Sequence, residues 1–103
     1  MTIEPKDIDL EDKGSKGRYV YRADGAEAEL TFTRAGVGLV IVDHTGVPDA
    51  FRGQGVGQAL VARAVADFRA AGKKVLPLCP FAASQFRRHP EWADLLQQRS
   101  GTA

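Results

Sequence analysis

Hydrophobic and polar positions change their period along this chain, and each change predicts an element. From Glu27 to Arg34 they alternate: Ala28, Leu30 and Phe32 fall on one face, Glu29, Thr31 and Thr33 on the other. A period of two marks a half-buried strand. Tyr19, Val20 and Tyr21, within Arg18–Arg22, predict a shorter strand before it, and Asp24-Gly25 between the two is a hairpin turn signal. After Ala35-Gly36, the stretch Val37–Asp43 is apolar on both faces and predicts a central strand. These strands form an antiparallel meander. His44–Pro48 holds Gly46 and Pro48 and predicts a kink or a fresh short strand. From Gln54 to Ala71 the period becomes helical, with Val56, Leu60, Val61, Ala64, Val65 and Phe68 in one stripe and Gly72 as the C-terminal cap. Lys73–Leu78 predicts a strand weakened by Pro77, Phe81–Arg88 a short helix, and Glu91–Gln98 another after Pro90.

The fold class is therefore α+β: an antiparallel meander, then a parallel strand–helix–strand unit, with helices packed on a mixed sheet. At 103 residues the chain makes one domain, with 44% hydrophobic residues to build a core. The single domain is expected over 18–98, with a flexible polar leader over 1–17 and a frayed tail over 99–103. A net charge of +1 gives no bulk reason for nucleic acid or membrane binding, and Arg87-Arg88 is too short a basic run to add one. No apolar run approaches the ~20 residues of a membrane span. Met1–Lys13 is acidic and has no apolar core of the kind a secretory leader needs. The single cysteine, Cys79, cannot close an internal disulfide, which makes a reducing cytoplasm the expected compartment.

The segment richest in chemistry is Arg52-Gly53-Gln54-Gly55-Val56-Gly57, directly ahead of the amphipathic helix. A helix start leaves backbone N–H groups unpaired at the positive end of the macrodipole, and glycines let a ligand approach them. The combination describes a cradle for a phosphate or pyrophosphate. Two familiar phosphate motifs are excluded. A dinucleotide fingerprint needs a third glycine where this chain has Gln58, and a P-loop needs Lys-Ser/Thr where it has Gln58-Ala59.

What remains, Arg52-x-x-Gly55-x-Gly57 opening a helix after a meander, resembles the acyl-CoA loop of the GNAT acetyltransferase superfamily. The segments VIVDHTGVPDAFRGQGVGQALV and KVLPLCPFAASQFRRHPEWADLL extend the resemblance to a compact GNAT-like family of about 100-residue N-acetyltransferase-domain-containing proteins. That family shares the series HT-x-V…RG-x-G-x-G…P-x-C…HPE-[WY], and the likeness covers Tyr19–Leu96. It implies acetyl-CoA as co-substrate. Gly53, Gln54, Gly55, Val56, Gly57 and Gln58 would donate backbone N–H groups to the pyrophosphate, and Arg52 would add a charge-assisted contact. The pantetheine arm would lie in a cleft between the strand near His44–Val47 and the strand ending at Cys79. Ser84, in the helix beyond that strand, is the candidate for a further contact with CoA.

Cys79 and His44 each stand at the end of a predicted strand. If those strands are neighbours, both reach the mouth of one cleft. A histidine can act as a base near neutrality, and a thiol ahead of a helix start is easier to ionise. The resemblance implies that this pair is catalytic. Two routes stay open: transfer through an acetyl-Cys79 thioester, or direct attack by the amine with His44 or Cys79 moving protons. His44, Cys79 and His89 lack recognisable metal-ligand spacing, so no metal site is expected. The acceptor half of the site is nearly absent from the sequence, since a full GNAT domain carries more N-terminal structure than the polar residues 1–17. A protein, peptide or small-molecule amine would serve as acceptor. The rival reading is a CoA-binding or protein-interaction module with little turnover. The assembly expected is a monomer or a weak dimer, the latter through a sheet edge at Tyr19–Arg22.

Overall fold

In the computed structural model, which describes residues 3–97, the meander is longer than the apolar pattern predicts. Strands β1 (Asp9–Lys13), β2 (Lys16–Ala23), β3 (Ala26–Arg34) and β4 (Leu39–Gly46) follow one another antiparallel. Helix α1 (Val56–Ala70) crosses over, and β5 (Lys74–Pro77) pairs parallel to β4. Helix α2 (Pro80–Arg88) and a 3-10 segment, Pro90–Leu95, complete the described chain. The sheet order is β1-β2-β3-β4-β5.

The expectation of a loose leader over 1–17 is corrected by β1, which pairs along its whole length with Lys16–Val20 of β2. Asp9–Lys13 holds a single apolar residue, Leu10, too little to announce a strand. Instead Glu11 accepts hydrogen bonds from Arg18 Nε at 2.8 Å and Arg22 Nη2 at 2.7 Å. The same pairing corrects the proposed sheet edge: β2 is internal, and β1 is the outer strand. Two further differences are local. The chain does not break at His44 but continues as β4 to Gly46, and the last helix expected over Glu91–Gln98 is the 3-10 segment Pro90–Leu95. The tail over 99–103 lies outside the described residues.

One face of the sheet carries the core. Tyr19, Leu30, Phe32 and Val42 pack against Leu60, Val61, Ala64 and Phe68 of α1. The Tyr19, Phe32 and Phe68 rings meet one another at 5.3–6.1 Å, a spacing at which aromatic pairs add to plain burial. The Tyr19 hydroxyl donates to Asp67 Oδ2 at 2.8 Å, so the core's phenol is not left unsatisfied. Among the described residues, the opposite face has no helix on it. There Arg18 and Arg22 knit Glu11, Glu27 and Glu29 into an ionic lattice at 2.7–2.9 Å, under which Val20 is fully buried.

Candidate active site at the splayed strands

β4 and β5 pair only from Leu39 to Val42. Past Val42, β4 runs on to Gly46 beside β3 alone. The N–H groups of Leu78 and Cys79 both donate to Val42 O, at 3.1 and 3.3 Å. That shared carbonyl is the apex of a splay, with exposed Val47 and Leu78 beyond it on its two arms. The splay arises because Pro77 ends the β5 ladder, having no N–H to offer, and Pro80 starts α2 in the first turn, where a missing N–H costs nothing.

The register of β3 on β4 slips opposite Thr31/Phe32: Phe32 faces Val42 while Thr31 faces His44, leaving Asp43 as the extra residue of a bulge. Its effect is on side-chain direction. Asp43 Oδ2 accepts from Thr33 Oγ1 at 2.7 Å and His44 pairs with Thr31, so both stand on the open, helix-free face. Thr45, paired with the buried Leu30, turns to the helical face, where its Oγ1 meets Cys79 Sγ at 3.4 Å. The imidazole of His44 rests against Gly46, so closely that a Cβ there would stand 3.0 Å from Nε2.

The two residues expected to act as a pair are therefore set on opposite faces of β4. Cys79 is buried and bonded to Thr45; His44 is exposed, with no side-chain hydrogen bond among the described residues. Thr45 is the residue that the sequence reading missed. Only the bulge, which depends on pairing between distant strands, turns it toward the thiol. The Cys79 thiol ionises more easily than an ordinary cysteine. Burial pushes its pKa up, but the Thr45 hydroxyl and the backbone N–H groups of Ala82, Phe81 and Thr45 pull it further down. Cys79 is the N-cap of α2, and the Phe81 and Ala82 N–H groups favour the thiolate without meeting full hydrogen-bond geometry.

The glycine loop sits at the start of α1, next in the chain after β4 and the 3-10 turn Asp49–Phe51. Gly53 and Gly55 have φ of +79° and +74°, a region that glycine enters without cost. Among the described residues no acceptor pairs with the N–H groups of Gly53, Gly55, Val56, Gly57 or Gln58. Gln54 differs: its N–H goes to Phe51 O at 3.1 Å and its side-chain amide to Ala50 O at 3.2 Å. Arg52 extends into solvent with only Asp49 beside it, at 3.0 Å. The Val56 side chain is core, so its backbone alone faces the loop. Gly57 is buried, and a Cβ on it would stand 2.7 Å from Phe81 Cζ. This third glycine lets the first turns of α1 and α2 approach each other. Ser84 is half-buried and spends its proton on Phe81 O at 2.7 Å.

Comparison with known proteins agrees with this fold. A model of the GCN5-related N-acetyl-transferase family matches residues 18–95. The solution NMR structure of a GCN5-like candidate N-acetyltransferase from Staphylococcus aureus superposes with a TM-score of 0.67 at 26% identity, covering 91% of this chain and 92% of that one. No curated protein matches. Among the described residues no helix is long and apolar enough to cross a membrane.

Proposed function

The chain belongs to the GCN5-related N-acetyl-transferase family, and from that premise we propose that it moves an acetyl group from acetyl-CoA to an amine acceptor. The observation that carries the reading is the set of unpaired N–H groups at the start of α1, beside a splay in which β4 beyond Val42 has no partner on its β5 side. A pyrophosphate supplies acceptors for the N–H groups of Gly53, Gly55, Val56, Gly57 and Gln58, favoured by the helix dipole. Arg52 swings onto it, while Gln54 shapes the turn. A pantetheine arm, with amides of its own, can continue the ladder that β5 abandons at Pro77. Ser84 has no proton left for a phosphate and serves at most as an acceptor to CoA.

The reaction follows from the two faces of β4. On the open face His44 takes the proton of the incoming ammonium. The amine nitrogen then bonds to the thioester carbonyl carbon, and the C–S bond breaks. On the helical face the Cys79 thiol, made more acidic by its surroundings, protonates the departing CoA sulfur, and the second proton, shed by the nitrogen as it becomes the neutral amide, returns to the Cys79 thiolate through solvent. This division favours direct transfer over an acetyl-Cys79 intermediate, because no base on the described chain stands beside the Cys79 sulfur. The lone thiol also suits a reducing cytoplasm.

The test is thiol release from acetyl-CoA with a panel of primary amines, for wild type, His44→Gln and Cys79→Ser, each with intact-mass analysis. His44→Gln should lower kcat about 100-fold or more, the usual scale for loss of a general base. No species heavier by ~42 Da should accumulate, since nothing is held on Cys79. Full activity of His44→Gln overturns its role, and an adduct lost in Cys79→Ser overturns direct transfer. Binding of CoA with no transfer to any amine leaves the CoA-binding module instead.

A further inference from the structure

The open face of the sheet divides into two unlike halves. Over β1 to β3 the charges are spent on one another: Arg18 reaches Glu11, Glu27 and Glu29, and Arg22 reaches Glu11 and Glu27. Toward β4 they are not. Asp43 has the Thr33 hydroxyl for company and, among the described residues, no cation. Lys13 and Lys16, opposite each other at the turn of the β1–β2 hairpin, are exposed and lack a carboxylate partner among the described residues. Lys16 in turn faces Thr33, which holds Asp43. Asp43, Lys13 and Lys16 line one cavity of about 370 Å³, together with Glu11, Arg18 and Thr31. It adjoins His44, which pairs with Thr31, and Asp43 is the first residue past the splay's apex at Val42.

A site with one uncommitted carboxylate next to a candidate base and two uncommitted ammonium groups across from it is complementary to a zwitterion. We propose that this corner holds the acceptor, a compact aminocarboxylate whose ammonium lies against Asp43, within reach of His44, and whose carboxylate lies against Lys13 and Lys16. The proposal rests on the acetyltransferase reading for its chemistry. The volume is at the small end for ligand sites, which fits a molecule of amino-acid size rather than a folded protein surface. Arg18 competes little for the carboxylate, because its single positive charge is already shared by three acids. Holding the ammonium at Asp43 leaves its proton for His44 to remove. The nitrogen then stands where a thioester in the splay would present its carbonyl.

The test pairs each of glycine, 4-aminobutyrate and 6-aminohexanoate with its neutral amide as acceptor for the full chain and acetyl-CoA. In parallel, 4-aminobutyrate is titrated into CoA-saturated, isotope-labelled protein. At least one acid should exceed its amide about fivefold or more in kcat/KM, the scale of two partly exposed ion pairs. In Lys13→Gln/Lys16→Gln that ratio should fall toward one, and Asp43→Asn should raise KM for acid and amide alike. The titration should shift the amides of Lys13, Lys16 and Asp43. Equal turnover of acids and amides, a preference that survives the double lysine variant, or turnover confined to peptide amines overturns the proposal. Shifts at those amides without turnover support the aminocarboxylate site while removing the acetyltransferase reading. Turnover of amines without shifts does the reverse, and neither shifts nor turnover overturns the site.

Discussion

Gly57→Ala separates a packing role from a ligand role in the glycine loop. A Cβ at Gly57 would stand 2.7 and 2.9 Å from Cζ and Cε2 of Phe81. Carbon atoms in favourable contact sit about 3.5–4.0 Å apart, so ring or helix must give way by roughly 1 Å. Two effects oppose each other. Alanine is favoured over glycine in a helix interior by up to about 1 kcal/mol, but Gly57 is the second residue of α1 and gains less than that. Overpacking costs about 1–3 kcal/mol. Phe81 is only half-buried, so its ring can swing outward and the cost falls low in that range. The net expectation is a loss of about 1 kcal/mol, or a Tm drop of roughly 4–8 °C for a domain of this size. Urea unfolding should show a lower midpoint at an unchanged slope. The cost should largely vanish in a Phe81→Leu background, because the clash needs the ring, and neighbours in contact couple in such cycles. A Gly57→Ala protein at least as stable as wild type refutes the packing argument. So does an equal cost in both backgrounds. If Gly57 served only the anion, the substitution would be silent in stability and would register in CoA affinity alone.

Thr45→Val should raise the midpoint of the pH dependence of Cys79 alkylation, because the hydroxyl at 3.4 Å favours the thiolate; an unchanged or lower midpoint removes Thr45 from the site. Gly55→Ala should cost about 1–2 kcal/mol of stability from its left-handed φ of +74°. Gly55→Asp should in addition weaken CoA binding about tenfold or more by setting a carboxylate where the pyrophosphate belongs, as read by isothermal titration; unchanged affinity would place the cofactor elsewhere. Stability should also depend on acid. Arg22 and Arg18 hold Glu11 below its usual 4.5, Arg18 and Arg22 do the same for Glu27, and Arg34 holds Asp12 below 3.8. A carboxyl lowered in the folded state stabilises above its unfolded pKa and loses that contribution as the pH falls through the folded value. Urea midpoints should therefore hold from pH 7 to about 4.5 and decline below. Arg18→Met should make the decline shallower, and an equally steep decline in that variant would clear the lattice of the effect.

The elements that build the core were legible because one face of each is apolar at the right period. Ala28, Leu30 and Phe32 mark β3, and the stripe from Val56 to Phe68 marks α1, within two residues at either end. The glycine loop was legible for a related reason: the role proposed for it lies in backbone, and at the positive φ of Gly53 and Gly55 glycine is the residue that permits that backbone. β1 was hidden because its reward is electrostatic and non-local. Nothing within Asp9–Lys13 indicates that Glu11 will meet Arg18 and Arg22 from the next strand. The Asp43 bulge was hidden more deeply, since it exists only as a mismatch in register between β3 and β4. The expectation that His44 and Cys79 meet treated β4 as regular. One inserted residue reverses the parity beyond it, sending Thr45 to the thiol and His44 to the other face.

That reversal is what lets so small a domain hold a two-sided reaction. A regular β4 would alternate Val42 inward, Asp43 outward, His44 inward and Thr45 outward. The imidazole would then crowd the thiol, and Asp43 would stand on the open face without His44. With the bulge, Asp43 and His44 share the open face with the cavity at Lys13 and Lys16, while Thr45 serves Cys79 among the helix starts. The strand thus separates His44, the proposed proton acceptor, from Cys79, the proposed proton donor. A thioester lying in the splay has one on each side. Among the described residues no helix covers the open face, so the lattice around Arg18 takes over there the work of burying Val20. The ionic half and the uncommitted half are consequences of one architecture. Charges that close the sheet are paired, and the groups beside the splay are left for a ligand to pair.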